Sequence, residues 1–129
     1  MALSASIKRA TFGAESRLRR GKDFDRLFSE AQSLVGRTMV LRALPAAGFV
    51  SRCGVIASKR TFRRAVDRNR AKRLLREAFR LDRDKLPCAC DLVLIARARI
   101  LDAKIADVRE DFCGLVQKVS KSLKRGAQA

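Results

Sequence analysis

Between Arg64 and Arg83 the apolar side chains keep to one spacing. Ala71, Leu74, Leu75, Ala78 and Phe79 fall within about 140° of arc at ~100° per residue, and Asn69, Lys72, Arg73, Arg76 and Arg80 fall opposite. The spacing predicts an amphipathic helix over 65–80 whose oily side docks on other structure. A shorter helix is expected over 22–31, where Phe24, Leu27, Phe28 and Ala31 repeat at helical intervals. A last helix is expected where Ile105, Val108, Phe112, Leu115, Val116, Val119 and Leu123 recur every three or four positions, with Asp102 as its cap and Gly126 as its stop. Lys118, Lys121, Lys124 and Arg125 crowd its end, where cations suit the helix dipole.

Other stretches alternate. Over 37–44, Met39, Leu41 and Ala43 share one face and Val40, Arg42 and Leu44 the other, which predicts a strand. A brief extended piece over 33–35 precedes it, and PAAG at 45–48 is a turn. Cys53, Val55 and Ala57 alternate over 52–58, so a second strand is expected to form a hairpin with the first. DLVLIAR, 91–97, is a continuous apolar run and reads as a buried central strand. The order is helix, two or three strands, helix, strand, helix. It predicts a single α+β domain with a small, mostly antiparallel sheet, helices on one face and the other face left open.

The chain has 129 residues, 47% of them hydrophobic, enough for one domain with a core. Charge changes the picture. Thirty Lys and Arg against 13 Asp and Glu leave a net charge of +17, which repels itself unless an anion lies against it. Nucleic acid is the expected partner for such a folded basic domain. No apolar run approaches the ~20 residues of a membrane span, so no membrane partner is expected. Residues 1–16 are Ser- and Arg-rich and read as a flexible basic arm rather than a transit peptide. Residues 17–125 form the domain, and 126–129 a disordered tail.

Histidine is absent, which removes the commonest general base and the Ser/His and Cys/His dyads. The acids are scattered. No catalytic residue and no metal ligand is assigned to the chain itself. Of the four cysteines, Cys88 and Cys90 are too close for zinc-finger spacing, and all four read as reduced thiols of a cytosolic protein.

The basic side of the central helix is the strongest chemical signal. From Arg52 to Arg83 there are twelve basic and three acidic residues, a local net of +9. An ordinary solvated helix alternates its signs, yet Glu77 alone offsets the charge within 68–80. Lys59, Arg60, Arg63 and Arg64 add to it beside the helix N-terminus, whose free N–H groups favour anions. Arginine's planar fork suits phosphate. The face is therefore aimed at a phosphate backbone. Aromatic content is 5%, without Tyr or Trp, so a base-stacking sheet of the RRM kind is not expected. The strand after the basic helix argues against a helix–turn–helix.

RCGVIASKRTFRRAVDRNRAKRLLREAFR, residues 52–80, strongly resembles the signature of the bacterial ribonuclease P protein component family. KDFDRLF before it and DLVLIAR after it match in order and spacing, so the resemblance covers roughly residues 17–125. It implies a fold like the second domain of a small-subunit ribosomal protein, with a left-handed βαβ crossover. It implies a cytoplasmic ribonucleoprotein subunit whose partners are the catalytic ribonuclease P RNA and precursor tRNA, not DNA. The large RNA, with Mg2+, hydrolyses the 5′ leader from precursor tRNA. The protein assists as a subunit of that endoribonuclease and holds no metal itself.

By position, the resemblance places Lys59, Arg60, Arg68, Asn69, Arg70, Lys72, Arg73 and Arg76 against RNA, with Arg63, Arg64 and Arg80 added by the charge of the same face. It places Phe24 and Phe28 at a leader cleft between the first helix and the sheet. Met39 and Arg42 stand where relatives carry cleft aromatics, and the glycine usual near Phe62 is missing. A purely structural RNA-binding protein, such as a ribosomal component, is the alternative; the Arg-Asn-Arg motif at 68–70 separates the two. A self-sufficient protein nuclease is disfavoured by the missing histidines.

Overall fold

The structure, a computed structural model, describes Arg17 and residues 21–46 and 50–128. The arm expected over 1–16 lies outside these residues, as does the second half of the PAAG turn. Among the described residues, three helices, α1 (Gly21–Glu30), α2 (Ala65–Asp82) and α3 (Ile105–Gln128), accompany four strands. These are β1 (Leu34–Val35), β2 (Met39–Pro45), β3 (Arg52–Ile56) and β4 (Cys90–Ala96). They form one mixed sheet in the order β1-β2-β4-β3.

The hairpin expected between β2 and β3 does not form, because β4 lies between them. It runs antiparallel to β2, with Met39 opposite Ala96 and Pro45 opposite Cys90. It runs parallel to β3, with Arg52 opposite Asp91 and Ile56 opposite Ile95. Burial explains the arrangement. Six of the seven residues of β4 are buried, and only a central strand covered on both faces can bury so continuous an apolar run. β2 carries Arg42 and β3 carries Arg52, and both tolerate less cover.

On one face, Met39 and Leu41 of β2, Cys53 of β3, and Leu92 and Leu94 of β4 pack against α2 and α3. Ala71, Leu75, Ala78 and Phe79 supply the α2 side; Val108, Phe112, Leu115, Val116 and Val119 supply α3. Phe79 and Phe112 meet edge to face, with centroids 6.4 Å apart. The opposite face was expected to stay open. Instead α1 lies on it, packing Leu27 and Ala31 on Val93, with Leu44, Ile56 and Ile95 around them. The second apolar row of β4 and the stripe of α1 bury each other.

Two carboxylates tie distant segments together. Asp82, at the end of α2, is 1% exposed and receives both Nε and Nη2 of Arg109 on α3, at 2.9 and 3.1 Å. Lys85 Nζ lies 3.3 Å from the same carboxylate. Hydrogen bonding from Arg109 holds the Asp82 carboxyl below the usual range, against the opposing effect of burial. Asp111 of α3 accepts from the Thr38 N–H at 2.9 Å, the Thr38 hydroxyl at 2.7 Å and the Arg37 N–H at 3.2 Å. Gly36 makes this approach possible: a Cβ there would lie 2.5 Å from the Asp111 carboxylate.

Asp102 does not cap α3. It ends a 3-10 turn over Ala98–Asp102. Lys104 takes the capping position, its carbonyl accepting from the N–H groups of Asp107 and Val108 and its own N–H donating to Asp107 Oδ2 at 3.0 Å. The Asp107 carboxylate thus satisfies the Lys104 N–H, which is the acidic half of a capping box. Gly126 does not stop the helix, which continues to Gln128; glycine inside a helix costs only about 1 kcal/mol.

Candidate nucleic-acid interface

α2 presents its two sides as its sequence divides them. Ala71, Leu75, Ala78, Phe79 and Asp82 are buried. Asn69, Arg70, Arg73 and Arg76 are exposed, and Lys72 and Arg80 are half-buried. Asn69, Lys72, Arg73, Arg76 and Arg80 lie along one stripe at helical spacing. Arg80 is engaged by Glu77, donating from Nε at 3.1 Å and also through Nη2. That contact keeps the Glu77 carboxyl below its ordinary range. The acid thus neutralises the C-terminal end of the stripe and leaves its middle basic.

The loop leading into α2 is built without glycine. Ser58 Oγ accepts from the Thr61 N–H at 3.1 Å, and the Ser58 carbonyl accepts from the Phe62 N–H at 2.9 Å. Phe62 is 2% exposed and anchors the loop in the main core. No described residue takes a positive φ, so the loop turns without the glycine that the family pattern has near Phe62. Lys59, Arg60, Arg63 and Arg64 are exposed around it. Arg68 differs from the other motif residues. It sits beside the buried stripe and donates from Nη1 to the Phe62 carbonyl at 2.9 Å and the Arg63 carbonyl at 3.2 Å. It holds the loop against the first turn of α2, and so positions four exposed cations next to the helix N-terminus.

The other candidates divide. Phe24 is half-buried against the sheet and Phe28 is 43% exposed at the edge of α1. Arg42 of β2 shares the α1 face of the sheet. Its Nη1 donates to the Phe28 carbonyl at 3.2 Å and the Ala31 carbonyl at 3.0 Å, and its guanidinium lies 5.3 Å from the Phe28 ring centroid. The side chain therefore caps the C-terminal end of α1, satisfying carbonyls the helix leaves free. Met39 is a correction: it has no exposure and belongs to the core under α2 and α3, on the face away from α1. A one-position alternation decides this, so Met39 does not border a cleft beside α1.

Sequence reasoning passed over Arg52. It donates from Nε and Nη2 to the buried Asp91 at 2.9 and 2.8 Å, and Nη1 lies 3.5 Å from Asp23 of α1. The contact fastens the N-terminal part of α1 to β3 and β4, as Arg42 fastens its end to β2. The pairing of Arg52 with Asp91 across parallel strands is the signal, and it is visible only with the strand order.

A groove of ≈ 890 Å³ between β1, the end of β4 and α3 is lined by Arg37, Arg97, Arg99 and Lys118 but also by Asp102, Asp107, Glu110 and Asp111. With both signs present it has no strong attraction for a polyanion, and no residue of α2 lines it. Among the described residues no group of three or more Cys, Asp or Glu side chains is placed to hold a metal ion. No described helix is long and apolar enough to cross a membrane. The arrangement suits docking of a phosphate backbone along α2 and its loop, while α1 and the opposite side of the sheet form a separate face.

The family model described as Ribonuclease P matches residues 12–120. A Ribonuclease P protein component of Chromohalobacter salexigens is 34% identical over 119 residues, covering 92% of each chain. The solved RNase P protein from Thermotoga maritima superposes with a TM-score of 0.69 at 29% identity, covering 79% of this chain and 96% of that one. The Staphylococcus aureus RNase P protein gives 0.68 at 27% identity, covering 82% and 95%. With the family model spanning residues 12–120 and a relative 34% identical over 92% of the chain, the chain belongs to the ribonuclease P protein family.

Proposed function

We propose that the protein binds the catalytic RNA of ribonuclease P through α2 and its preceding loop, and assists removal of the 5′ leader from precursor tRNA. The observation that carries this reading is the division of α2: its apolar side is used up by the core, while Asn69, Arg70, Arg73 and Arg76 remain exposed on the other. Such a face contributes long-range attraction and charge-assisted phosphate contacts. The leader lies beside α1, where Phe28 offers an exposed ring and Arg42 a guanidinium over it. Hydrolysis belongs to the RNA with the Mg2+ it requires, and no Mg2+ site is assigned to this chain. The chain supplies positive charge that reduces repulsion between the two RNAs, and it acts in the cytoplasm.

The test is cleavage of a precursor tRNA by a ribonuclease P RNA at low magnesium, with and without the protein. Stimulation is expected. No stimulation would leave a structural RNA-binding role instead.

A further inference from the structure

Cys88 and Cys90 take no part in the basic face, yet they are placed together. Their sulfur atoms are 3.7 Å apart. Cys88 is exposed in the bend before β4, and Cys90 is buried as the first residue of that strand. Contacts on both sides hold this geometry. The Cys90 N–H donates to Ser51 Oγ at 3.0 Å, the Cys90 thiol donates to the Cys88 carbonyl at 3.3 Å, and the Ala89 carbonyl accepts from the Ala46 N–H at 2.9 Å. Cys90 is thus fixed by the sheet, whereas Cys88 lies in an irregular segment that can yield.

We propose that Cys88 and Cys90 form a thiol–disulfide site that closes to an intramolecular disulfide by exchange with a small-molecule disulfide. A disulfide needs its sulfurs about 2.05 Å apart, so the gap closes by a shift of the Cys88 side chain and its bend. The order of events follows from access. The Cys88 thiolate, after losing its proton to solvent, attacks one sulfur of the small disulfide; a new S–S bond forms and one small thiolate leaves. The Cys90 thiolate then attacks the Cys88 sulfur of the mixed disulfide, and the second small thiolate leaves. Two protein thiols are oxidised, one small disulfide is reduced to two thiols, and the protons end on those thiols. Burial, with Cys88 beside it, pushes the Cys90 thiol up to about 12, so Cys90 is not the thiol that attacks first; its part in the second step rests on its nearness to Cys88.

The remaining cysteines are placed differently. Cys53 is buried in the main core, where burial pushes its thiol up. Cys113 is on α3 and accepts from Lys85 Nζ at 3.4 Å.

The experiment uses the full reduced chain and oxidised glutathione as the probe, followed by alkylation of remaining thiols and tryptic digestion. Cleavage after Lys85 and Arg97 yields peptide 86–97, which contains Cys88 and Cys90 and no other cysteine. The expected product is that peptide without alkyl groups and lighter by two hydrogen atoms, restored to the alkylated form by prior reduction with dithiothreitol. Cys113→Ser should leave closure unchanged. Cys88→Ser, at an exposed position, should leave Cys90 without an internal bond. A doubly alkylated peptide, a lasting glutathione adduct on Cys88, or closure that is lost in Cys113→Ser would each overturn the site.

Discussion

At Leu75 no surface reaches water, whereas Arg73, two positions earlier on α2, is exposed. Substitution at the two positions should therefore separate folding from binding. Leu75→Ala removes core volume among Phe79, Phe112 and the sheet, and is expected to cost roughly 2–5 kcal/mol of stability, read by denaturant unfolding. Arg73→Ala should leave unfolding unchanged and weaken binding to ribonuclease P RNA by roughly 1.5–3 kcal/mol, the loss of one charge-assisted contact. Equal melting of the two variants would reverse the facing assigned to α2. Arg68 belongs to neither class, since its guanidinium holds the Phe62 and Arg63 carbonyls. Its replacement releases the loop as well as a charge.

α1 is held to the sheet at both ends by arginines from the strands, Arg52 near its start and Arg42 at its finish. Arg42→Ala should speed hydrogen exchange of α1 amides, and should lower affinity for precursor tRNA without affecting mature tRNA, which has no leader. An equal loss for both RNAs would take Arg42 and the end of α1 out of the leader path. The join between α2 and α3 predicts a pH dependence. The Asp82 carboxyl is held below its ordinary value by Arg109, so its contribution is full above the unfolded value of about 4 and is lost as pH falls through the lower folded value. Melting temperature should fall on that acid limb, and Asp82→Asn, less stable near neutrality, should show a shallower fall. Element ranges were legible because periodicity is local: α2, α1 and the buried run of β4 all stand within a few residues of expectation. Pairing was not. β2 and β3 are neighbours in the chain, and nothing local to them says that β4 separates them. The exposed stripe of α2 followed from one helix's own spacing, whereas alternation already put Met39 and Arg42 on opposite faces of β2, so one cleft could not take both, and the position of α1 tells which of them borders it. The holds of Asp82 by Arg109 and of Thr38 by Asp111 join residues 27 and 73 positions apart, and in a chain so rich in charge no spacing rule selects them.

For the molecule as a whole, a net charge of +17 makes ionic strength the main control of affinity. If about six phosphates of irregular RNA are neutralised, log K should fall against log salt with a slope near −4. A slope close to zero would remove charge as the determinant. The central place of β4 has a further consequence, in the timing of folding. Arg52 and Asp91 pair across 39 positions, and β2 is more distant still in sequence from the same strand. Neither long strand finds a long neighbour until β4 arrives, so the sheet closes late and over large loops, which is intrinsically slow. On a ribosome, α2 emerges while the strand that completes its docking surface has not been made. Its apolar stripe then faces water and its basic stripe faces whatever RNA is near. A chain ending at Ala89, which lacks both β4 and α3, should consequently lack the cooperative thermal transition of the full-length protein. Retention of a sharp transition in the shorter chain would mean that α2 and the earlier strands form a core without β4.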